Sequence, residues 1–238
     1  MNKQVDFSLI LACYNEGPTF NRSLDEISKV LNDTNYSYEV ICIDDKSSDG
    51  TLTILNKFVK NRKTWTAFFH NNNKGRGATV KEGMLRARGK VVGYIDVDLE
   101  VSATYIPEFV RQIRNGVDVA IATRIYKIEL HNLIRSLSTI SYATLSRLVL
   151  GHRLRDTEAG YKFFSKKSLL IVLKECQDNH WFFDTEILIR CLNHKLTIGQ
   201  IPVLFLKRQD KKSTVNILSD TFKYLKALWK FRRKRLEL

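Results

Sequence analysis

Short apolar segments alternate with helical patterns through the first half of the chain, and this alternation restricts the possible folds more than any other feature. Strand-like runs rich in β-branched and aromatic residues occupy residues 7–12, 38–44, 65–69, 91–95 and 118–122. Helical patterns lie between them, near residues 22–32, 49–62, 76–87 and 105–114. Strand–helix–strand repetition places the strands parallel in one sheet and the helices on its faces. The sequence therefore predicts an α/β fold with a Rossmann-like, mostly parallel central sheet.

The second half of the chain has a different pattern. Residues 130–150 carry leucine and isoleucine at near-helical spacing, with Arg135 among them. Three later segments have the composition of a strand, a helix and a strand that complete the sheet: 156–164, 181–192 and 197–205. We expect one main domain over residues 1–215, followed by a basic helix over residues 216–238.

The chain is strongly basic, with 39 lysines and arginines against 25 aspartates and glutamates and a formal net charge of +14. This excess predicts an anionic partner, which can be a nucleotide, a phospholipid, a nucleic acid or a phosphorylated substrate. The four cysteines are far apart in the sequence, so we expect a reduced, cytoplasmic compartment. The sequence has no run of about 18 apolar residues, so no membrane-spanning helix is predicted.

Three acidic residues follow the strand-like run at 91–95, in the stretch YIDVDLE: Asp96, Asp98 and Glu100. Side chains alternate along an extended backbone, so these carboxylates point to one side if the extended path continues. Hard divalent ions such as Mg²⁺ or Mn²⁺ bind carboxylate oxygens together with substrate phosphates. We therefore predict a metal-bound diphosphate at this strand end, with solvated loop acids as the alternative.

Polar segments also follow the first three strands, at the edge where ligands bind in such sheets. Asp44 ends the second strand and can accept hydrogen bonds from a nucleotide base, whereas Asp45 and Asp49 have either a structural or a binding role. The stretch NKGRGA, with Lys74 and Gly75, offers flexible backbone and cations at a helix start, which suits a phosphate. A plain turn is the alternative for NKGRGA.

Taken in order, these motifs give the chain a resemblance to a known family. The segments that carry it are LACYNEG, VICIDDKSSDGT, NKGRGATVKEGMLRARG, DVDLE, ATRIY and DTEAGYKFF. They resemble the family-2 glycosyltransferases of GT-A fold, and DTEAGYK resembles the branch that includes the dolichyl-phosphate glucose and mannose synthases. The resemblance implies an inverting, metal-dependent hexosyltransferase. Such an enzyme moves a sugar from a nucleotide-diphosphate sugar to a polyprenyl phosphate, undecaprenyl or dolichyl, at the membrane surface.

The resemblance also implies roles for individual residues. The implied nucleotide-sugar contacts are Ala12, Tyr14, Glu16, Asp44, Lys74, Gly75 and Asp96. The implied metal ligands are Asp96, Asp98 and Glu100, with Mg²⁺ or Mn²⁺ as the cofactor. The implied catalytic residues are Asp98, Arg124, Arg135 and Asp156. The implied contacts of the acceptor phosphate are Arg124, Arg135, Lys162 and Arg208. Asp156 would orient these cations, and a buried structural carboxylate is its alternative role.

The chain departs from the family pattern at three places. Lys46 stands where a small or acidic residue is common, and Glu100 stands where Gln is common. The segment 207–214, KRQDKKST, matches the usual basic motif only loosely. This last departure leaves the roles of Arg208, Lys211 and Lys212 open.

A lipid monophosphate is an anion at neutral pH, so it can attack an anomeric carbon without a general base. A metal ion on the leaving diphosphate and arginines around the acceptor phosphate would offset the repulsion between the two anions. UDP-glucose is the first expected donor because DTEAGYKFF is nearer the glucosyl members of the family. GDP-mannose and UDP-N-acetylglucosamine stay open.

Other classes of function are alternatives. A family-2 transferase could act instead on a sugar or polyol hydroxyl in a surface glycan. A sugar-1-phosphate nucleotidyltransferase would share the strand–helix start and the metal, but LACYNEG is not the Gly-rich phosphate loop it needs. A non-enzymatic nucleic-acid-binding protein would account for the charge but not for acids at successive strand ends, so no nucleic-acid partner is expected.

The C-terminal segment has one apolar stripe beside a dense cluster of cations. The stripe recurs at intervals of four, three and four residues: Leu218, Phe222, Leu225 and Trp229. Packing of this stripe on the domain is one interpretation. The basic density favours peripheral binding to an anionic membrane surface through residues 216–238, with help from residues 130–150, or docking on a membrane subunit. The expected location is the cytoplasmic face of the membrane.

Overall fold

The computed structural model describes residues 5–126, 144–207 and 217–236. Its strands are β1 (Phe7–Cys13), β2 (Tyr38–Asp44), β3 (Trp65–Phe69), β4 (Val91–Ile95), β5 (Val119–Tyr126), β6 (Tyr161–Ser165) and β7 (Ile198–Phe205). They form a 7-stranded sheet in the order β3-β2-β1-β4-β6-β5-β7. Neighbouring strands are parallel except where β6 pairs antiparallel with β4 and β5. The predicted mostly parallel α/β sheet is confirmed, and its fifth strand extends beyond residue 122 to Tyr126.

Helices cover both faces of the sheet. They are α1 (Phe20–Asn32), α2 (Thr51–Val59), α3 (Arg76–Arg86), α4 (Ile106–Arg114), α5 (144–150), α6 (Lys166–Val172), α7 (Phe183–Asn193) and α8 (Ile217–Leu236). Successive residues of a strand point to opposite faces, so Leu9 and Leu11 pack with α1, α2 and α4. Ile10 packs instead with α3, α6 and α7. The strands read as continuous apolar runs because both of their faces lie in a core.

A third group of buried residues joins α8 to α5 and α7. Its members on α8 are Tyr224, Leu228 and Phe231, which are 8%, 0% and 7% exposed. The rings of Tyr224 and Phe231 lie 5.5 and 5.6 Å from the ring of Phe182. The helix predicted after residue 215 is therefore packed against the main domain along this face.

The apolar stripe predicted for α8 is not the face that packs inward. Phe222 is 70% exposed and Trp229 is 52% exposed. Tyr224 and Phe231 each follow these residues by two positions, which is about 200° around a helix. The side chain of Leu218 lies outside the described residues. Among the described helices, α8 included, none is long and apolar enough to cross a membrane.

The four cysteines lie in the interior. All four are buried with free thiols: Cys13, Cys42, Cys176 and Cys191. Burial raises the pKa of the Cys191 thiol to about 12. A buried thiol with a raised pKa forms little thiolate, so these side chains act as small apolar residues of the core.

Candidate active site

The carboxyl ends of the first four strands meet at one edge of the sheet. The parallel registers pair Cys13 with Asp44, and Asp44 with Phe69. The segment after β4 reaches the far side of the same edge, where Val101 forms a bridge with Phe205 of β7. The polar segments that follow the strands therefore lie side by side, as the sequence predicted.

A small cavity at this edge is lined by the three acids that were predicted to bind a metal. Its volume is about 50 Å³, and its lining residues are Asp96, Asp98, Glu100, Val101, Arg124, Ala159, Gly160, Tyr161 and Phe205. A cavity of this size has room for an ion together with a few water molecules. Acidic side chains and an arginine meet at this cavity. A nucleotide sugar is larger than the cavity and would extend well beyond it.

The three acids of YIDVDLE reach the cavity through a turn. The predicted extended backbone does not continue through this segment. β4 ends at Ile95, and the amide of Leu99 donates to the carbonyl of Asp96 at 3.4 Å. Leu99 has a φ of 55°, which is incompatible with an extended strand. The carboxylate of Asp98 accepts the amide of Glu100 at 3.2 Å. Strand alternation therefore does not bring these side chains together; the turn does.

Arg76, the first residue of α3, holds Asp96. Its Nε and Nη2 donate to Asp96 Oδ1 at 3.2 and 2.7 Å, and its Nη1 forms an ion pair with the buried Asp184. Gly160 makes room for this arrangement, because a Cβ at that position would lie 2.1 Å from Asp96 Oδ2. Asp96, predicted to contact the nucleotide sugar and the metal, thus already has an arginine partner.

Arg124 and Asp156 form a bidentate ion pair beside the acids. Arg124 Nε donates to Asp156 Oδ2 at 2.7 Å, and Nη2 donates to Oδ1 at 3.0 Å. Burial opposes ionisation of Asp156, but the adjacent Arg124 outweighs it and lowers the pKa of Asp156. Asp156 is therefore buried and bound to a cation that lines the cavity, and its predicted catalytic role remains a prediction.

Lys162 does not lie where the sequence predicted. It is 0% exposed, and its Nζ donates to Asp184 Oδ1 at 2.6 Å. Asp184 also accepts hydrogen bonds from Tyr94 and Arg76. Desolvation lowers the pKa of Lys162, although Asp184 opposes the shift. Assignment of Lys162 to the acceptor phosphate is therefore wrong for this structure, because its ammonium is enclosed in the core and paired. Asp184, in the first turn of α7, is the centre of a buried charge cluster.

The acids after β2 bind backbone and hydroxyl groups. Asp44 is 1% exposed and accepts hydrogen bonds from the amide and the hydroxyl of Ser47. Asp45 accepts the amides of Lys74 and Gly75, each at 2.8 Å. Asp49 accepts the amides of Gly17 and Thr51 at 3.0 and 2.9 Å. Asp45 and Asp49 therefore have a structural role, and the predicted contact of Asp44 with a base would have to share a carboxylate that Ser47 already binds.

The NKGRGA segment is fixed from several sides. Gly75 has a φ of 93°, and a Cβ there would lie 2.4 Å from the carbonyl oxygen of Asn179, so only glycine fits. His70 binds Asp45 through Nδ1 at 2.7 Å and Glu82 through Nε2 at 3.0 Å. Glu82 also accepts Lys74 Nζ at 3.0 Å. Burial opposes ionisation of Glu82, but its bonds with Lys74, Arg86 and His70 lower its pKa to about 2.

The segment after β1 lies beside these loops. Ala12 is half-buried near the end of β1, and Tyr14 is 41% exposed. The carboxylate of Glu16 accepts the amide of Tyr14 at 3.0 Å, and the amide of Glu16 donates to the hydroxyl of Thr51 at 2.8 Å. These residues border the edge without lining the cavity. Their predicted nucleotide contacts remain predictions.

Several predicted site residues lie outside the described residues. They are Arg135, Arg208, Lys211 and Lys212. The same holds for the apolar part of the segment 130–150 that precedes α5. Their predicted roles toward the acceptor phosphate and the membrane remain predictions.

The donor set of the cavity fits a divalent ion that shares its coordination with a substrate. Its acids supply carboxylate oxygens, which Mg²⁺ and Mn²⁺ prefer. Among the described residues, no group of three His, Cys, Asp or Glu side chains is assembled as a complete metal site. Mg²⁺ commonly takes one or two carboxylates and completes its coordination with waters and substrate phosphates. Asp98 and Glu100 fit this arrangement, because both line the cavity.

The sequence interpretation missed three residues of this region. Arg76 stood inside a quoted motif, but nothing local indicated that it would reach Asp96 and Asp184. His70 gave no signal because its partners Asp45 and Glu82 are distant in the sequence. The third missed residue is Glu158. Burial raises the pKa of Glu158 to about 7, with a further contribution from Asp156, although Arg124 opposes the rise.

Comparison with known proteins identifies relatives of the chain. The profile of "Glycosyl transferase family 2" matches residues 8–188. Glycosyltransferase AglD of Haloferax volcanii is 27% identical over 232 residues, which cover 94% of this chain and 37% of that protein. A dolichyl-phosphate beta-glucosyltransferase of Dictyostelium discoideum is 24% identical, with coverage of 94% and 76%. The chain thus spans well under half of the first relative and about three quarters of the second.

The fold also has solved neighbours. Glucosyl-3-phosphoglycerate synthase from Mycobacterium tuberculosis, solved with Mn²⁺, uridine diphosphate and glucosyl-3-phosphoglycerate, superposes with a TM-score of 0.72. Its sequence is 16% identical, and the match covers 96% of this chain and 80% of that one. The likeness identifies the fold.

Proposed function

The chain belongs to glycosyl transferase family 2, and from that premise we propose that it transfers a sugar from a nucleotide-diphosphate sugar to a polyprenyl phosphate. The relatives named as dolichyl-phosphate beta-glucosyltransferases support this choice of acceptor. The position of the ligand edge at the carboxyl ends of the strands supports a nucleotide donor there.

The observation that carries the proposal is the arrangement of charge around the cavity. Asp98 and Glu100 line one part of it, and Arg124, fixed by Asp156, lines another. A transferase that joins two anionic substrates needs a site for a diphosphate and a separate cation for the acceptor phosphate. A rigid guanidinium held by a bidentate carboxylate suits the second task, because little side-chain freedom is lost when a phosphate binds.

The proposed reaction is a direct displacement. An oxygen of the acceptor phosphate forms a bond to the anomeric carbon while the bond from that carbon to the diphosphate oxygen breaks. The configuration inverts, and the nucleoside diphosphate leaves. The acceptor is already ionised, so no proton has to be removed and no carboxylate has to act as a base. In this proposal Arg124 holds the attacking phosphate, and Asp156 fixes Arg124.

Asp98 and Glu100 would hold a divalent ion, which supplies Lewis-acid stabilisation of the charge that develops on the leaving diphosphate. Arg76 would keep Asp96 pointed at the same region, since it binds one oxygen of that carboxylate. The solved neighbour with Mn²⁺ and uridine diphosphate supports testing Mn²⁺ first. The names of the relatives and that neighbour together support UDP-glucose as the first donor.

An acceptor panel tests this proposal. Purified protein would be incubated with radiolabelled UDP-glucose, GDP-mannose or UDP-N-acetylglucosamine, with Mn²⁺ or a chelator, and with a polyprenyl phosphate or a polyol. We expect metal-dependent label in the lipid phosphate fraction. Label in the polyol alone would favour the hydroxyl-acceptor transferase, and formation of a nucleotide sugar from a sugar 1-phosphate would favour the nucleotidyltransferase.

We also propose that the outer face of α8 contacts an anionic membrane surface. Its exposed Phe222 and Trp229 lie on the side opposite the buried Tyr224 and Phe231. Exposed cations accompany the two aromatic residues: Lys223, Lys226, Lys230 and Arg233. Aromatic rings beside cations are typical of interfacial helices, and each cation near an anionic surface contributes about 1 kcal/mol.

Flotation with liposomes tests this surface. Removal of α8 is a poor variant because it also removes the buried Tyr224, Leu228 and Phe231. The better variant carries Phe222→Ser and Trp229→Ser, which change exposed side chains only. We expect the wild-type chain to float with anionic vesicles in low salt and the double variant to stay in solution. Recovery of neither form, with binding restored by a membrane subunit, would favour the docking alternative.

A further inference from the structure

Tyr224 on the inward face of α8 reaches a loop of the active site. Its hydroxyl lies 3.0 Å from Thr185 Oγ1, and Thr185 Oγ1 donates to Thr157 Oγ1 at 3.0 Å. Through the hydroxyl of Thr185, Thr157 is thus connected to a phenol oxygen of helix α8.

The loop 156–160 joins the two charged parts of the site. Asp156 holds Arg124, and Ala159 and Gly160 form part of the cavity wall. The carbonyl of Gly160 accepts the amide of Asp96 at 2.9 Å. Displacement of this loop would therefore move Arg124 and Asp96 relative to one another.

Two hydrogen bonds of the loop are local. Asp156 Oδ1 accepts the amides of Glu158 and Ala159, each at 3.1 Å. Such a turn fixes its own shape but not its position relative to the helices behind it. The hydroxyls of Thr185 and Tyr224 fix the loop relative to these helices, and both residues are buried. Buried hydrogen bonds of this kind define one arrangement because water cannot replace them.

The position of Tyr224 is itself well defined. Its ring contacts Phe182, and the neighbouring Leu228 is fully buried. Phe231, one turn further, lies under the guanidinium of Arg190 at 4.8 Å. Helix α8 therefore holds the phenol in place through packing, and the hydroxyl transmits that position to the loop.

We propose that Tyr224 is a positioning residue of the active site: its hydroxyl holds the loop 156–160 so that Arg124 and Asp156 face the acids. Helix α8 is then part of the catalytic unit and not only a membrane contact. The expected loss of turnover rests on the proposed transferase function, whereas the expected change in hydrogen exchange of the loop does not.

The test is Tyr224→Phe, which keeps the ring and removes the hydroxyl. Hydrogen exchange is measured for the peptide that contains residues 156–160, and kinetics are measured with a polyprenyl phosphate acceptor. We expect faster exchange in this peptide, a kcat about five- to tenfold lower, and an unchanged KM for the nucleotide sugar, as loss of one buried hydrogen bond would give. Thr185→Val should reproduce both changes because it breaks the same chain of hydroxyls.

A control variant separates the loss of this particular hydroxyl from a general weakening of the fold. Tyr38→Phe is the matched control, because its hydroxyl bonds the exposed Asn32 far from the loop. It should change neither exchange nor kcat.

The outcomes are distinct. Unchanged exchange at 156–160 in both Tyr224→Phe and Thr185→Val would overturn the proposal. Faster exchange with an unchanged kcat would also overturn it, because the loop would then tolerate displacement. If the wild-type chain does not glycosylate a polyprenyl phosphate, the transferase proposal fails, while the exchange experiment still decides whether Tyr224 holds the loop.

Discussion

Carboxylates on the two sides of the active site have different partners. On the amide-bound side, formed by segments 14–17, 44–51 and 70–75, Asp45 and Asp49 accept backbone amides. On the arginine-bound side, formed by residues 96–100, 156–160 and Arg124, the carboxylates hold guanidinium groups. The first arrangement fixes the shape of loops, and the second fixes the position of charge.

This difference indicates which side of the site is expected to carry the reaction. A carboxylate saturated by backbone amides has few oxygen lone pairs left for a substrate or an ion. An arginine held by a carboxylate keeps other N–H groups for a phosphate, because the guanidinium has five. The amide-bound side should therefore govern stability and donor binding, and the arginine-bound side should govern turnover. Four substitutions test this division.

The largest effect is expected for Asp98→Asn. The change removes one anionic oxygen from the predicted metal and diphosphate site and leaves the shape of the side chain. We expect metal-dependent turnover to fall about 100-fold or more, on the scale of removed transition-state contacts. Thermal unfolding should be close to wild type. Asp25→Asn, at an exposed site on α1, is the control, and near wild-type turnover of Asp98→Asn would remove Asp98 from the site.

Asp45→Ala should act on stability instead. It leaves the amides of Lys74 and Gly75 and the ring of His70 without their acceptor. The bonds of Asp45 with Gly75 and His70 are buried, and a buried donor without a partner costs about 1–3 kcal/mol, so we expect the free energy of unfolding to fall by about 2–6 kcal/mol. Urea titration measures this, and Asp25→Ala is the control. A stable variant with lost turnover would place Asp45 among the reacting groups and contradict the division.

Arg124→Lys should affect the acceptor more than the donor. Lysine keeps the charge but cannot make the bidentate bond to Asp156. We expect kcat/KM for the acceptor phosphate to fall about tenfold, with unchanged binding of the nucleotide sugar by calorimetry. Arg111→Lys is a matched control, because Arg111 also binds a carboxylate through two nitrogens, on the exposed surface. Loss of donor binding in Arg124→Lys would reverse the two roles.

The smallest effect concerns pH and Glu158. Its pKa in the folded protein is about 7, against an ordinary value of 4.5, so the folded state keeps a proton that the unfolded state releases between these values. Stability therefore falls as pH rises through this window. Glu158→Gln lacks the titration, so its stability relative to wild type should improve as the pH rises from about 4.5 to about 8.

Thermal unfolding at several pH values measures this effect. Glu26→Gln, on the exposed face of α1, is the control and should show no such trend. If the relative stability of Glu158→Gln does not depend on pH, Glu158 titrates normally, and its burial beside Asp156 has no electrostatic cost.

Sequence reasoning predicted the elements of the first half closely. The runs at 38–44, 65–69 and 91–95 are strands with those bounds. These predictions succeed because strand and helix periodicity are local properties. The helix predicted at 49–62 is shorter, Thr51–Val59, because its ends depend on caps that periodicity does not fix.

Partners at the site were harder to predict. Arg76 and Asp184 are 108 positions apart and form an ion pair in the interior. Lys162 was assigned to the acceptor phosphate, but it is buried, and the neighbouring Asp184 compensates the cost of burying its charge. No local pattern distinguishes a paired buried lysine from one that faces a substrate.

The sequence by itself determined the sheet, the edge at which the polar segments meet, and membership of the family. These follow from the spacing of apolar residues and the order of the motifs, which are properties of the sequence alone. The tertiary structure alone decided which face of α8 turns inward, since both Phe222 and Tyr224 belong to apolar rows and only packing against Phe182 selects one. It likewise decided which acids bind amides and which bind arginines. That choice depends on contacts between distant segments, and the energy of a charge depends on what surrounds it after folding.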